Sequence, residues 1–189
     1  MSAITVKILE KKRLSIKTQT LATIGAIIAA VAIPQLFHLM GAMSGLGTAL
    51  GEAFLPMHLP IILVGLLAGP YAGAVAGLLS PLVSFSLSGM PGAAMLPFMM
   101  IELCVYGLVS GILRNVNIPT IVKVLTAQFA GRTVRAIAIL VSVYVLGNET
   151  VSVSIIWMSV VTGIFGLALQ WALIPLAVYR VENISKNEK

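Results

Sequence analysis

Along the chain, hydrophobic positions gather into long apolar runs separated by short breaks rich in Gly, Pro, Ser or charge. The first run covers about 19–40 and is followed by a Gly-rich stretch, GAMSGLGTALGEAF, from Gly41 to Phe54. The second, PMHLPIILVGLLA at about 56–68, is short for a crossing, because a bilayer core calls for about 20 apolar residues in helical form. Gly69 and Pro70 make a tight turn before a third run at about 70–88. The loop SGMPG, Ser88 to Gly92, leads to a fourth run at about 93–114. A fifth spans about 117–146, and GNETV precedes the sixth at about 152–179. This pattern predicts an all-α integral membrane protein with six transmembrane helices in one compact bundle. Residues 1–18 form a basic cytoplasmic segment, 19–180 the membrane domain, and 181–189 a cytoplasmic tail.

Composition narrows the class. Hydrophobic residues make up 59% of the chain and charged ones 10%, against about 25% charged in a typical soluble protein. A soluble domain is excluded. The net charge of +6 could suggest nucleic acid, but the basic residues flank the apolar runs as topology determinants do. With both termini cytoplasmic, the inner segments hold Lys7, Lys11, Lys12, Arg13, Lys17, Arg114, Lys123, Arg180, Lys186 and Lys189. The outer segments hold Glu52, His58 and Glu149, with no Lys or Arg. That asymmetry sets the orientation in a cell membrane, crossed six times. The run from Leu21 to Met40 exceeds the roughly 7–15 residues of a signal-peptide core and is read as the first membrane helix. Cys104 is the only cysteine, so no internal disulfide forms, and it reads as a small buried hydrophobe.

Chemistry concentrates in three ionisable groups inside apolar runs: Glu102, Arg132 and Arg135. Such groups are costly in a bilayer and mark functional sites by default. Gln128, Arg132 and Arg135 share one helical face, and Glu102 and Tyr106 share another with Met95 and Met99. At ~1.5 Å per residue, Glu102 lies roughly 12–14 Å from the outer helix end, Arg135 roughly 16 Å and Arg132 roughly 21 Å. Glu102 and Arg135 are near enough in depth to pair, leaving Arg132 with a free guanidinium. Two readings stay open: a structural ion pair with Arg132 on backbone carbonyls, or a polar cavity in which an arginine receives an anionic ligand. His58, between Pro56 and Pro60, fits a helix start as well as a ligand contact. Trp157, Gln170 and Trp171 could line the cavity, and Trp157 also suits an interfacial belt.

Several classes drop out. There is no H-E-x-x-H and no Cys/His cluster, so no metal or other cofactor is expected. No P-loop or G-x-S-x-G pattern occurs. Glu102 with an arginine could make an acid–base pair, but no nucleophile or cofactor motif accompanies it, so an enzyme is not expected. Small residues recur at helical spacing: Gly73 and Gly77 suit helix packing within the bundle, whereas Ala22, Ala26 and Ala30 suit either internal packing or a partner. A binding subunit that borrows a motor fits these limits; a structural membrane subunit with a sealed core is the competing class.

The P-M-H-L-P start of the second run, the S-G-M-P loop, I-E-L-x-x-Y-G in the fourth and G-R in the fifth occur in that order over residues 15–180. In this the chain resembles the substrate-binding S components of energy-coupling factor (ECF) vitamin transporters. The resemblance implies a six-helix subunit of a bacterial plasma membrane importer, open to the outside and covered by the loop after the first helix. Gly45, Gly47 and Glu52 fall in that lid. It also implies a transmembrane T subunit and two ATPases as partners, with Ala22, Ala26 and Ala30 docking on the T subunit. The sequence is most similar to pantothenate-type branches; a hydroxymethylpyrimidine- or pyridoxine-type compound and a cobalamin-related precursor are the alternatives. For pantothenate, Arg132 or Arg135 would take the carboxylate, and Glu102, His58 and Gln128 the polar arm, with Tyr106 and Trp157 lining the site.

Overall fold

The computed structural model describes residues 14–187. Lys7, Lys11, Lys12, Arg13, Lys189 and the side chain of Lys186 lie outside the described residues. Within them the chain forms α1 (Ile16–Met43), α2 (Ala49–Phe54), α3 (His58–Ala68), α4 (Pro70–Ser88), α5 (Leu96–Ile112), α6 (Thr120–Tyr144), α7 (Ser154–Thr162) and α8 (Ile164–Asn187), with a 3₁₀ turn at Leu113–Asn115 and no strand. Six stretches are long and apolar enough to cross a membrane: Ile16–Met43, Ala49–Ala68, Pro70–Ser88, Leu96–Asn115, Thr120–Tyr144 and Ile164–Ile184. An even number of crossings returns both ends of the bundle to one side.

Local chemistry sets these boundaries. The Ser15 hydroxyl accepts from the Thr18 amide at 3.2 Å and caps α1, satisfying one of the donors a helix start leaves open. Pro70 begins α4, where its missing N–H costs nothing. Gly89, at φ 70, ends that helix in the left-handed conformation glycine tolerates.

Two expectations change. The short second run is half of a broken span: α2 supplies its first part and α3 its second. Between them Leu55 turns the chain in the left-handed region, at φ 47, the one non-glycine residue there among those described. Residues 41–54 are therefore the end of α1, a turn and a helix that re-enters the bundle, not an extended external loop. The sixth run is likewise broken, at Gly163, into α7 and α8. Irregular backbone at membrane depth persists only where protein buries it or it lines a cavity, so both breaks point to the same interior.

The centre of the bundle is built on glycine. A Cβ on Gly73 would sit 2.3 Å from the Gly107 carbonyl oxygen, and one on Gly77 would sit 2.1 Å from that of Leu103. These residues bring the α4 and α5 backbones into contact, as their spacing predicts. Around them pack Ile61, Ile62, Leu66, Ala76, Leu103, Tyr106 and Ile174. Ala22, Ala26 and Ala30 require a correction. Ala26 and Ala30 are buried in that core, Ala30 at 0% exposure, and Ala22 packs against it. The alanine stripe is an internal helix-packing face. The outward face of α1 instead carries Leu21, Ile24, Gly25, Ile28 and Ala32, and a Cβ on Gly25 would meet nothing within 4 Å. Elsewhere the exterior is apolar, with Leu78, Leu82, Phe129, Ile137 and Leu173 exposed, as lipid contact requires.

Candidate functional site

Helices α5 and α6 bring the ionisable residues together. Glu102 is fully buried on α5. Its Oε2 accepts from Arg135 Nη1 at 2.8 Å, and its Oε1 accepts from the Tyr106 hydroxyl at 3.1 Å, one turn along the same helix. Tyr106 can lie there because α6 offers no side chain beneath it: a Cβ on Gly131 would fall 2.1 Å from the ring. Arg135 is thus spoken for, and the depth match read from helix rise reports a real pair.

One turn below, Arg132 has a looser position. Its Nη1 donates to the Ser159 carbonyl of α7 at 3.3 Å, and its Nε is buried with no partner, as is the Nε of Arg135. A cavity of about 40 Å³ lies against both arginines, walled by Ala136, Ile139, Ile156, Ser159 and Val160. That volume suits a water rather than a vitamin, which calls for about 300 Å³ or more. The α7 segment closes this side and buries none of its own residues.

His58 is not in an external segment. It opens α3 at the break in the second span, about 15 Å along the helix from Ala68, and is buried. Its ring stands 5.4 Å from that of Tyr106 at an interplanar angle of 58°, and its Nδ1 has no partner. His58, Glu102, Arg132 and Arg135 lie within electrostatic reach of one another.

Gln128 belongs to a neighbouring network rather than to the arginine cavity. Its Nε2 donates to Gln170 Oε1 at 2.9 Å, and its Oε1 accepts from the Trp171 indole at 2.7 Å. Gln170 in turn donates to the Leu55 carbonyl at 3.4 Å, so the network ends on the span break. Trp157 does not join the site; it is 71% exposed on the outer face of α7, as a belt residue is. The expected lid residues separate as well. Gly45 (φ 74) and Gly47 (φ 57) form the turn after α1, while Glu52 lies on α2 and accepts from the Thr48 hydroxyl at 3.1 Å. Neither Ser159 nor Leu55 is marked by residue type, because each acts through its backbone carbonyl. Gly131 was visible only as half of the G-R pair.

Among the described residues no group of three or more His, Cys, Asp or Glu could hold a metal ion. The cluster places two guanidinium groups against one carboxylate, an excess of one positive charge in a buried site. Such a site is suited to an anion. One family model, described as ECF transporter, substrate-specific component, matches residues 17–178. No curated protein and no solved structure gives a significant match.

Proposed function

The chain belongs to the ECF transporter substrate-specific component family, and we propose that its substrate is a water-soluble vitamin bearing a carboxylate, pantothenate being the best fit. Membership makes it the substrate-binding subunit of an ECF importer, associated with a T subunit and ATPases and not itself an enzyme. The observation that supports the carboxylate is the charge imbalance of the buried cluster: Glu102 neutralises Arg135 at 2.8 Å, and Arg132 has only the Ser159 carbonyl. A neutral pyrimidine would leave that cation uncompensated, whereas a carboxylate matches the guanidinium fork.

In this reading Arg132 takes the carboxylate, exchanging Ser159 for the ligand. His58 Nδ1 and the Glu102–Tyr106 pair are placed to address hydroxyl and amide groups. Because the cavity holds about 40 Å³ and α7 forms one wall of it, admitting a vitamin requires α7 to move outward. This helix is short and ends at a break, Gly163. The basic residues at the end that carries the termini, Lys17, Arg114, Lys123 and Arg180, orient that end to the cytoplasm, so the cavity faces outward. Docking on the T subunit would use the outward face of α1 around Gly25, since the Ala22/Ala26/Ala30 stripe is engaged internally.

The test has two parts. Mass spectrometry of the small molecules released by denaturing the purified protein should recover pantothenate at about one per chain. Titration calorimetry of Arg132→Ala should then show binding weakened by about 10- to 150-fold, the loss of one charge-assisted hydrogen bond. Normal affinity in that variant refutes the carboxylate clamp. An empty protein that ignores a panel of acidic and neutral vitamins refutes the substrate assignment.

A further inference from the structure

A second cavity, of about 410 Å³, lies at the end of the bundle that carries the termini. It is within the range of small-molecule sites, about 300–1,000 Å³. α1 contributes Gln19 to its wall, the start of α4 contributes Pro70 and Tyr71, and the end of α5 with the 3₁₀ turn contributes Gly111, Arg114 and Asn115. A Cβ on Gly111 would fall 2.3 Å from Pro70 Cα, so the end of α5 rests on the backbone of the turn between α3 and α4. Gly69 in that turn, at φ 111, has no side chain, and a Cβ there would stand 4.0 Å from Arg114 Nη1. The guanidinium therefore hangs over the turn, at the cavity wall. Beside it, Asn115 Oδ1 is buried with no hydrogen-bond partner, and a buried acceptor without a donor calls for an explanation.

Charge and level in the membrane say what fits there. Lys123 Nζ donates to the Arg114 carbonyl at 3.2 Å, and Lys17 lies two residues before Gln19 on α1. Glu182 is within electrostatic reach of Arg114, but the three cations outnumber it, so the rim favours an anion. The spans Ile16–Met43, Pro70–Ser88 and Leu96–Asn115 all terminate at this rim, which puts the cavity at the level of lipid headgroups. Tyr71, 80% exposed, stands at the same level, as interfacial aromatics do.

We propose that this cavity is a lipid site that takes the headgroup of an anionic phospholipid bearing hydroxyl donors, of the phosphatidylglycerol type. Arg114 receives the phosphate; a guanidinium carries five N–H donors, so a phosphate oxygen adds to the contacts Arg114 already makes. Asn115 Oδ1 accepts from a headgroup hydroxyl, which satisfies the buried acceptor. Ile112 lines the same cavity and is 58% exposed, so it stands where acyl chains would leave the site for the bilayer. Basic pockets between membrane helices are the usual seats of anionic headgroups. The site is separate from the arginine cavity of α6 and does not rest on which vitamin is carried.

Native mass spectrometry of the purified subunit in detergent tests this, with dioleoyl phosphatidylglycerol, phosphatidylmethanol and phosphatidylcholine offered in equal amounts. Phosphatidylmethanol has the same charge as phosphatidylglycerol and no headgroup hydroxyl. The parent should retain about one phosphatidylglycerol per chain, preferring it about fivefold over phosphatidylmethanol, the weight of one hydrogen bond. Its preference over phosphatidylcholine should be about tenfold or more. Arg114→Gln should lower retention of both anionic lipids about tenfold. Asn115→Leu should leave phosphatidylmethanol unchanged and bring phosphatidylglycerol down to its level, a selectivity that a merely structural asparagine would not carry. If Arg114→Gln does not yield folded protein, Asn115→Leu decides alone. Equal retention of the three lipids by the parent overturns the proposal, as does an Asn115→Leu variant that still prefers phosphatidylglycerol over phosphatidylmethanol. Displacement of the lipid by millimolar glycerol phosphate also overturns it, and makes the cavity a site for a soluble phosphate ester.

Discussion

Arg132 and Arg135 are three residues apart and alike in type, yet their surroundings make opposite predictions for their removal. Arg135 is the partner of a fully buried carboxylate. Arg135→Ala takes from Glu102 the ion-pair partner 2.8 Å away, a loss of about 3–5 kcal/mol for a broken buried pair. That variant should lose thermal stability in detergent, and Glu102→Gln combined with Arg135→Met should recover much of it. A double variant as unstable as the single one would show that the pair is not what holds α5 to α6. Arg132→Ala should leave the melting temperature near that of the parent, because its bond to Ser159 is long and at the edge of α7. The sequence made both residues visible, since charge inside an apolar run cannot be missed. It did not show which of the two was neutralised, because that depends on how α5 and α6 are rotated against each other.

At the scale of elements, helix contacts are set by what is absent from a face. Gly131 leaves room for the Tyr106 ring, so Gly131→Ala should overpack this contact and cost about 1–3 kcal/mol, read as a lowered melting temperature. The alanine stripe of α1 gives a contrasting pair. Ala30→Leu enlarges a residue at 0% exposure and should destabilise the isolated subunit by a similar amount. Gly25→Leu, on the open face, should leave the isolated subunit's stability unchanged and weaken its copurification with the T subunit. If Ala30→Leu is stable and loses only the partner, the internal packing of the stripe is wrong. Small-residue spacing identified α1 as a packing helix, but both of its faces carry small residues. Only the positions of α3 and α4 decide which face is inside.

At the scale of the molecule, two of the apolar runs are broken and each carries a short helix before its break: α2 before Leu55 and α7 before Gly163. Placing the termini in the cytoplasm puts both on the outer side. The expected outcome is that a membrane-impermeant thiol reagent labels Glu149→Cys on intact cells and does not label Lys17→Cys, each in a Cys104→Ala background. The reverse pattern would invert the subunit and turn the arginine cavity toward the cytoplasm.

What the sequence determined by itself was everything that follows from partition between lipid and water. Six apolar runs, the charge at their ends and three ionisable residues within them are local properties, and a bilayer responds to them one helix at a time. The Gly73/Gly77 contact was legible for the same reason, since two glycines four residues apart define a face on their own helix. The tertiary structure decided everything that depends on how faces meet. It made α2 part of the second span, turned His58 into the bundle, buried Ala30 and left Trp157 exposed. It also linked Gln128 through Gln170 to a backbone carbonyl of Leu55. Carbonyls and backbone approaches carry no residue-type signature, and burial of a helix face is a property of two helices, so neither is written in the order of residues along one.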